Sequence, residues 1–303
     1  MKKRLIIIDA NSLIHRAFHA LPELTTAKGQ MVNALYGFLL VFFKVIKEFK
    51  PDYIAACFDA PGPTKRGRQF AAYKAKRAKA PNELYDQIPL VKEALAAFGV
   101  PAFEQQGLEA DDLIATIARI APQKQAHPPL ETIIVSGDMD TLQLVDDKTK
   151  VFTMRKGLQD TVLYDTAAVQ KRFGGLLPEQ LRDYKGLRGD PSDNIPGVTG
   201  IGDKTAIDLL SRFQSMENLY ESEALKEIKP RTQALLVQYK DQALLSRDLA
   251  TLDRNAPIDF SISNVSWSGL NTAKARELLE RYEFRTLLGR VGENNSGNDA
   301  MSR

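Results

Sequence analysis

Cysteine is nearly absent: the 303 residues contain one, Cys57, inside the apolar run YIAACFD. A disulfide framework is therefore excluded, and a reducing, cytoplasmic setting is the natural expectation. Histidine is almost as scarce. His15, His19 and His127 form no triad with the acids, and Cys57 sits in too apolar a context for a nucleophile. Long apolar runs are missing too. The opening MKKRLIIIDANS starts like a secretory leader, but its run stops at Asp9, too soon for an h-region. ALYGFLLVFF is cut by Lys44, well short of the ~20 residues that span a bilayer, so no membrane partner is expected. Its Leu35, Phe38, Leu39 and Phe42 continue to Ile46 and Phe49 at helical spacing, which predicts a buried amphipathic helix. Acids are absent between Asp59 and Glu83, where Lys65, Arg66, Arg68, Lys74, Lys76, Arg77 and Lys79 all occur. In a chain of net charge only +3, that asymmetry points to an anionic ligand on one face.

What is present is the composition of a soluble globular protein, 44% apolar and 26% charged. Three short runs rich in β-branched residues, RLIIID, YIAACFD and TIIVSGD, read as strands buried on both faces, as in a parallel sheet. Helical patterns over 31–49, 83–98 and 109–120 separate them, and VPAFEQQG reads as a further strand. This alternation predicts an α/β fold, a mostly parallel sheet flanked by helices. KVFTMRKGLQDTVLYD predicts a hairpin turning at Lys156-Gly157. After Asp165, a plausible N-cap, the chain becomes helical and loop-rich, and TQALLVQYKDQALLSRDLATL predicts one long amphipathic helix. A boundary is therefore placed near residue 165. GENNSGNDAMSR, polar and aperiodic, reads as a frayed tail, and no solenoid repeat is visible.

All three main strand candidates end in aspartate: Asp9, Asp59 and Asp138, with Asp140 two residues on. The carboxyl ends of parallel strands line one rim, where ligands bind. GLEADDLIATIAR would deliver Glu109, Asp111 and Asp112 to that rim in the first turn of a helix, and Asp190 and Asp193 follow in a Gly-rich loop. Any one of these acids has an ordinary explanation as a turn residue, a cap or an offset to the helix dipole. Their coincidence does not. Like charges ~4 Å apart repel by about 4 kcal/mol at an effective dielectric near 20, so such a rim requires protons or metals. An all-oxygen site suits Mg²⁺ or Mn²⁺. Setting the nine acids aside leaves 29 against 41 bases, a remainder of +12. That is the charge layout of a metal-dependent enzyme acting on a polyanion. Asp112 is open to three readings: direct ligand, water-mediated ligand or a plain first-turn residue.

If residues 66–77 are helical, Arg66, Phe70, Tyr73, Lys74 and Arg77 share one face. Bases interleaved with rings suit single-stranded nucleic acid. The competing reading is a solvated basic helix with Phe70 turned into the core. PGVTGIGDKTA sets Gly197, Gly200 and Gly202 before a helix carrying Lys204 and Thr205, where free N–H groups can meet a phosphate. Glycine spacing alone fits a structural turn equally well; its place after Asp190 and Asp193 strengthens the binding reading.

IDANSLIHRAFHALP, FDA, YKAKR, GLEADDLIAT, SGDMDTLQLV and GDPSDNIPGVTGIGDKTA together resemble the 5′-nuclease family, which includes the 5′-nuclease domain of bacterial DNA polymerase I and the flap endonucleases. The likeness runs from residue 5 to about 288. It implies a PIN-like core over 1–165 with a basic arch at 62–82. A helix–three-turn–helix (helix-hairpin-helix) DNA-binding region would follow over 166–288, then a flexible tail over 289–303. It implies two Mg²⁺ or Mn²⁺ ions, one held mainly by Asp9, Asp59, Glu109 and Asp111, the other by Asp138, Asp140 and Asp193 with Asp190 near. Lys74 and Arg77 match the residues that contact the scissile phosphate, Tyr73 the aromatic beside them, and Arg16 and Arg66 further DNA contacts. Backbone carbonyls of Leu187, Arg188, Pro196, Val198 and Ile201 match a monovalent-cation site, expected to hold K⁺. His15 stands where relatives usually carry tyrosine and Lys65 where an aromatic is common, departures that bear on base stacking and not on the chemistry.

The expected function is therefore structure-specific 5′–3′ exonuclease and flap endonuclease activity on 5′ flaps and nicked or gapped duplex, in replication and repair. The expected setting is a cytoplasmic, nucleoid-associated monomer. No polymerase domain follows, so a free-standing nuclease and a fragment acting with a polymerase in cis or in trans are both open. Two rival classes are a DNA-binding module without catalysis and a phosphatase of the haloacid dehalogenase type. Nine carboxylates beside phosphates argue against the first. The second wants an aspartate two residues after the first, where this chain has Asn11.

Overall fold

The computed structural model describes residues 2–124 and 127–293. Six strands form one sheet: β1 (Lys3–Asp9), β2 (Tyr53–Phe58), β3 (Ala102–Glu104), β4 (Leu130–Val135), β5 (Thr149–Lys156) and β6 (Asp160–Tyr164). Their order is β3-β2-β1-β4-β5-β6, and only β6, returned by a hairpin, runs antiparallel. The alternation of side chains along β1 explains why this strand is apolar throughout. Ile6 and Ile8 face a core built on the helices Ala10–Ala20, Asn33–Phe49 and Ile88–Ala97. Leu5 and Ile7 face a second core under the helix Ala110–Lys124. With β-strand period 2, a strand covered on both sides needs apolar residues at every position. The first helix pair meets at Gly37, where a Cβ would lie 2.7 Å from Ala17 Cβ.

A third core occupies the helical region between Leu176 and Ala243. The chain then returns to the sheet: Leu252, Ala256, Phe260 and Val265 join the second core, and Ala275 to Val291 the first. The change of composition near residue 165 therefore does not separate residues 252–291 from the sheet.

Several predicted elements differ in extent. The helix expected over 83–98 is split into Asn82–Tyr85 and Ile88–Ala97, with Pro89 in the second one's first turn. The long helix expected over 232–252 breaks at Tyr239 into Pro230–Gln238 and Lys240–Ala250. A final helix, Arg285–Glu293, covers the start of the expected tail; residues 294–303 lie outside the described residues. The largest correction concerns the basic segment. Only Lys65–Gln69 is helical; residues beyond it turn, and Lys74 takes a left-handed φ of 56°. Tertiary partners, described next, override the local helical pattern.

Candidate active site

The rim of the sheet assembles as its strand ends dictate. Asp9 ends β1 and caps the following helix, accepting from Ser12 N at 3.1 Å and from Ser136 Oγ at 2.6 Å. Asp59 follows β2 and accepts from Ala110 N at 2.8 Å, fixing the start of the helix that carries Asp111. Asp138 follows β4 and accepts from Asp140 N at 2.9 Å. Asp9, Asp59, Asp138 and Asp140, with Asp111 and Asp190, line one cleft of about 1080 Å³ together with Lys74, Arg77 and Lys185. His15 and His19 form part of its wall.

Burial and crowding hold protons on this rim. Burial, and then the charge of Asp59, raise the Asp9 carboxyl to about 6 against the hydroxyls of Ser136 and Ser12. Burial with Asp9, Asp138 and Asp140 pushes Asp111 well up. Burial and Asp138 carry Asp140 to about 7 despite the ammonium of Lys185. Asp190 goes the other way: burial would raise it, but Lys185 and Ser192 hold it at about 2. Burial likewise keeps His15 below its ordinary value, with His19 adding to the effect.

The protein's own cations reach the remaining acids. Glu109 accepts from Lys74 Nζ at 3.0 Å, Tyr73 Oη at 3.1 Å and Arg66 at 2.9 Å. Asp193 accepts from Arg77 at 2.5 Å, and its carbonyl accepts from Lys74 N at 2.9 Å. Asn194 Nδ2 donates to Ala72 O at 2.7 Å. Residues 72–77 are thus fastened to the 190–195 loop, and this gives Lys74 its left-handed backbone. Phe70 is half-buried, one side packed against the cluster of Tyr73, Ile195, Leu249 and Ala250.

Three further residues from the expected site are engaged within the protein. Asp112 turns away from the cleft; its oxygens receive Arg66 at 2.7 and 2.9 Å and Asp253 N at 2.8 Å, which leaves no metal-ligand role for it here. Arg66 is buried, and every guanidinium nitrogen is engaged: by Glu109, Asp112 and the carbonyls of Leu249 and Thr251. It ties the short helix Lys65–Gln69 to residues 109–112 and 249–251. Arg16 clasps the carbonyls of Met154, Arg155 and Gly157 across the hairpin end, the closest at 2.7 Å.

One residue of the cleft escaped the sequence reading. Lys185, on the helix Leu181–Arg188, bridges Asp140 of the sheet rim and Asp190 of the helical region, the latter at 2.6 Å. Its only local signal is a lysine five residues before Asp190.

The glycine hairpin is built by close approach. At Gly197, φ is 64° and a Cβ would lie 2.2 Å from Gly189 N. Leu187 O accepts from Val198 N at 2.7 Å and Val198 O from Ile201 N at 3.0 Å, so two of the five carbonyls singled out already carry one partner. Gly202 caps the helix Asp203–Phe213, on which Lys204 is exposed and Thr205 half-buried. Gly200 packs near Leu235.

Among the described residues, no three His, Cys, Asp or Glu side chains are drawn close enough to hold a metal as they stand. The donor set nevertheless fits hard dications: desolvated, mutually repelling carboxylates on one cleft, all oxygen.

Comparison with known proteins now bears on this site. The model of the 5'-3' exonuclease N-terminal resolvase-like domain matches residues 4–174, and that of the 5'-3' exonuclease C-terminal SAM fold matches residues 176–273. The chain belongs to the 5′–3′ exonuclease family. A 5'-3' exonuclease of Aquifex aeolicus is 38% identical over 290 residues, 95% of each chain. DNA polymerase I of Bacillus subtilis is 42% identical over 296 residues, 97% of this chain; the chain spans about a third, 33%, of that relative's length. Among solved structures, T5 5'-exonuclease with bound zinc gives a TM-score of 0.65 at 19% identity, covering 95% of this chain and all of that one. The catalytic core of Rad2 in complex with DNA substrate gives 0.61 at 16% identity, covering 93% and 89%. These two likenesses establish a shared fold for this exonuclease-family chain. Membership of the 5′–3′ exonuclease family sets the phosphatase alternative aside.

Proposed function

We propose that this chain is a divalent-metal-dependent 5′-nuclease that hydrolyses DNA phosphodiesters, working on 5′ flaps and on nicked or gapped duplex. One observation carries the reading: Asp9, Asp59, Asp111, Asp138, Asp140 and Asp190, from separate strand ends, a helix start and a loop, converge on a single cleft that Lys74, Arg77 and Lys185 also line. Asp9, Asp59 and Asp111, with Glu109, would hold one Mg²⁺ or Mn²⁺; Asp138 and Asp140, with Asp190 and Asp193, would hold a second. When bound, such ions supply hydroxide at neutral pH and neutralise the leaving oxygen.

The chain's own residues do the rest. Lys74 and Arg77 stabilise negative charge gathering on phosphorus, an electrostatic role whose loss costs about 10²–10³-fold in rate. Tyr73 Oη and the backbone N–H of Lys74 hold the Glu109 and Asp193 groups beside them in register. Water oxygen forms the new bond to phosphorus and the P–O3′ bond breaks, leaving a 3′-hydroxyl and a 5′-phosphorylated mono- or oligonucleotide. No histidine base is required. The hairpin around Gly197, Gly200 and Gly202, with Lys204 and Thr205, would grip duplex backbone. K⁺ would lie on the carbonyls of Leu187, Arg188, Pro196, Val198 and Ile201. Relatives named DNA polymerase I support a role beside a polymerase, in cis or in trans, and with it a part in replication and repair.

The test is a labelled 5′-flap duplex incubated with Mg²⁺, with and without EDTA. Cleavage that requires the metal, and an Asp138→Ala variant that binds without cutting, are the expected results. Binding without cleavage by the unmodified chain would make it a DNA-binding module instead, and near-normal cutting by Asp138→Ala would overturn the metal assignment.

A further inference from the structure

The helix that follows β1, Ala10–Ala20, turns Leu13, Ile14 and Ala17 into the first core and leaves its opposite side to the cleft. Asn11, His15 and His19 follow one another at i, i+4 and i+8, and all three line the cleft wall. Two of the chain's three histidines thus stand one turn apart on a single helical face. Their ring centroids are 6.5 Å apart and the rings are tilted by 40°. His15 is half-buried; His19 is exposed, its ring set edge-on to Phe18 at 5.3 Å. Among the described residues neither imidazole takes part in a hydrogen bond or an ion pair. The reaction above uses neither of them.

Imidazole nitrogens suit Zn²⁺, Ni²⁺ and Cu²⁺, whereas Mg²⁺ prefers oxygen. Histidines four residues apart on a helix can meet one ion. Two imidazoles sharing a tetrahedral ion, at ~2.0–2.1 Å per nitrogen, have centroids roughly 5 Å apart. Rotation of the exposed His19 side chain supplies the difference. An oxygen ligand is near as well. Asn11, one turn before His15, accepts from Asp59 N at 3.1 Å, so Asp59 is fastened at the foot of the same stripe. Asp59 and Arg77 both act electrostatically on His15; the first favours a cation there, and the second, itself held by Asp193, opposes it.

We infer that His15 and His19 form a binding site for one transition-metal ion, Zn²⁺, Ni²⁺ or Cu²⁺, on the cleft wall beside the carboxylate rim. Water fills the remaining positions, and the Asp59 carboxylate replaces one of them. An ion seated there withdraws Asp59 from the Mg²⁺ or Mn²⁺ it is proposed to hold, so the pair is an inhibitory site. The ion site stands on the helix geometry alone; only its effect on cleavage rests on the nuclease reading.

The test is electron paramagnetic resonance of Cu²⁺ added to the untagged full chain in excess Mg²⁺, which fills oxygen sites without giving a signal. A His127→Gln background leaves the pair as the chain's only imidazoles. One equivalent of Cu²⁺ coupled to two imidazole nitrogens is expected. His15→Phe or His19→Gln should leave coupling to one nitrogen and lower Ni²⁺ affinity, read by calorimetry in Mg²⁺, at least tenfold. Coupling to fewer than two nitrogens in the background chain, or two-nitrogen coupling that survives either substitution, overturns the site. Because His19 is exposed, His19→Gln decides the matter even where His15→Phe disturbs the helix. In a 5′-flap assay at fixed Mg²⁺, the Zn²⁺ concentration that halves each chain's own rate should rise at least fivefold in His19→Gln. An unchanged value overturns the inhibitory role. Absence of cleavage in Mg²⁺ without any Zn²⁺ would instead overturn the nuclease reading, so the two failures are separable.

Discussion

Replacing Arg66 tests whether the basic arch is anchored by charge or merely decorated with it. The side chain is 8% exposed, as is that of Glu109, and Asp112 is 4% exposed. Arg66→Met keeps most of the aliphatic stem and removes only the guanidinium. Asp112 then loses its bidentate partner and retains two backbone donors, Asp253 N at 2.8 Å and Glu109 N at 3.4 Å. The carbonyls of Leu249 and Thr251 lose theirs. Removing one member of a buried ion pair costs about 3–5 kcal/mol, because the other charge stays buried and uncompensated. Urea unfolding at neutral pH should show a loss of that size, with the slope unchanged. Arg66→Met/Asp112→Leu should lose less than the sum of the two single variants by about 0.5–3 kcal/mol, the coupling expected of residues in contact. A cost below ~1 kcal/mol, combined with weakened DNA binding in a chain of normal stability, would return Arg66 to the role of a DNA contact and refute the anchoring argument.

The remaining expectations concern pH, the hairpin and linkage. Asp9 near 6 and Asp140 near 7 keep protons in the folded chain that the unfolded chain releases around ~4. Without metal, stability should therefore be fullest below pH 4 as far as these groups are concerned, fall as pH rises through 6 to 7, and level off above. Calorimetry should show Mg²⁺ raising Tm more at pH 8 than at pH 5; an equal gain at both would count against these carboxylates as its site. Gly197→Ala forces a Cβ onto Gly189 N at 2.2 Å with φ at 64°, and should cost at least ~2 kcal/mol. A wild-type melting temperature there would show that the hairpin relaxes easily. Lys74 and Arg77 now neutralise Glu109 and Asp193, so phosphate that draws these cations away frees carboxylates for metal. Mg²⁺ and DNA should each tighten the other's binding by the same factor, and independent affinities would contradict that exchange.

How far the sequence carried depended on whether a feature is local or relational. The parallel strands were legible because burial on both faces makes RLIIID, YIAACFD and TIIVSGD apolar at every position, and β1 sits between two cores as that pattern requires. The carboxylate rim was legible because Asp9, Asp59 and Asp138 follow from strand direction alone. Charge direction was not. Arg66 and Arg68 are two apart in one basic run, yet one is buried against Glu109 and Asp112 while the other faces solvent. What separates them is the position of residues 109–112 and 249–251, distant in the chain. Lys185 was missed for the same reason, since its partner Asp140 lies 45 residues away. Arg16, whose acceptors are all backbone carbonyls, left no side-chain signature to find. A run of bases therefore locates an anionic neighbourhood but does not say which members serve the ligand and which serve the fold. Here Arg66 is spent on the protein's own buried acids, whereas Lys74 and Arg77 hold acids at the edge of the cleft and Arg68 faces solvent.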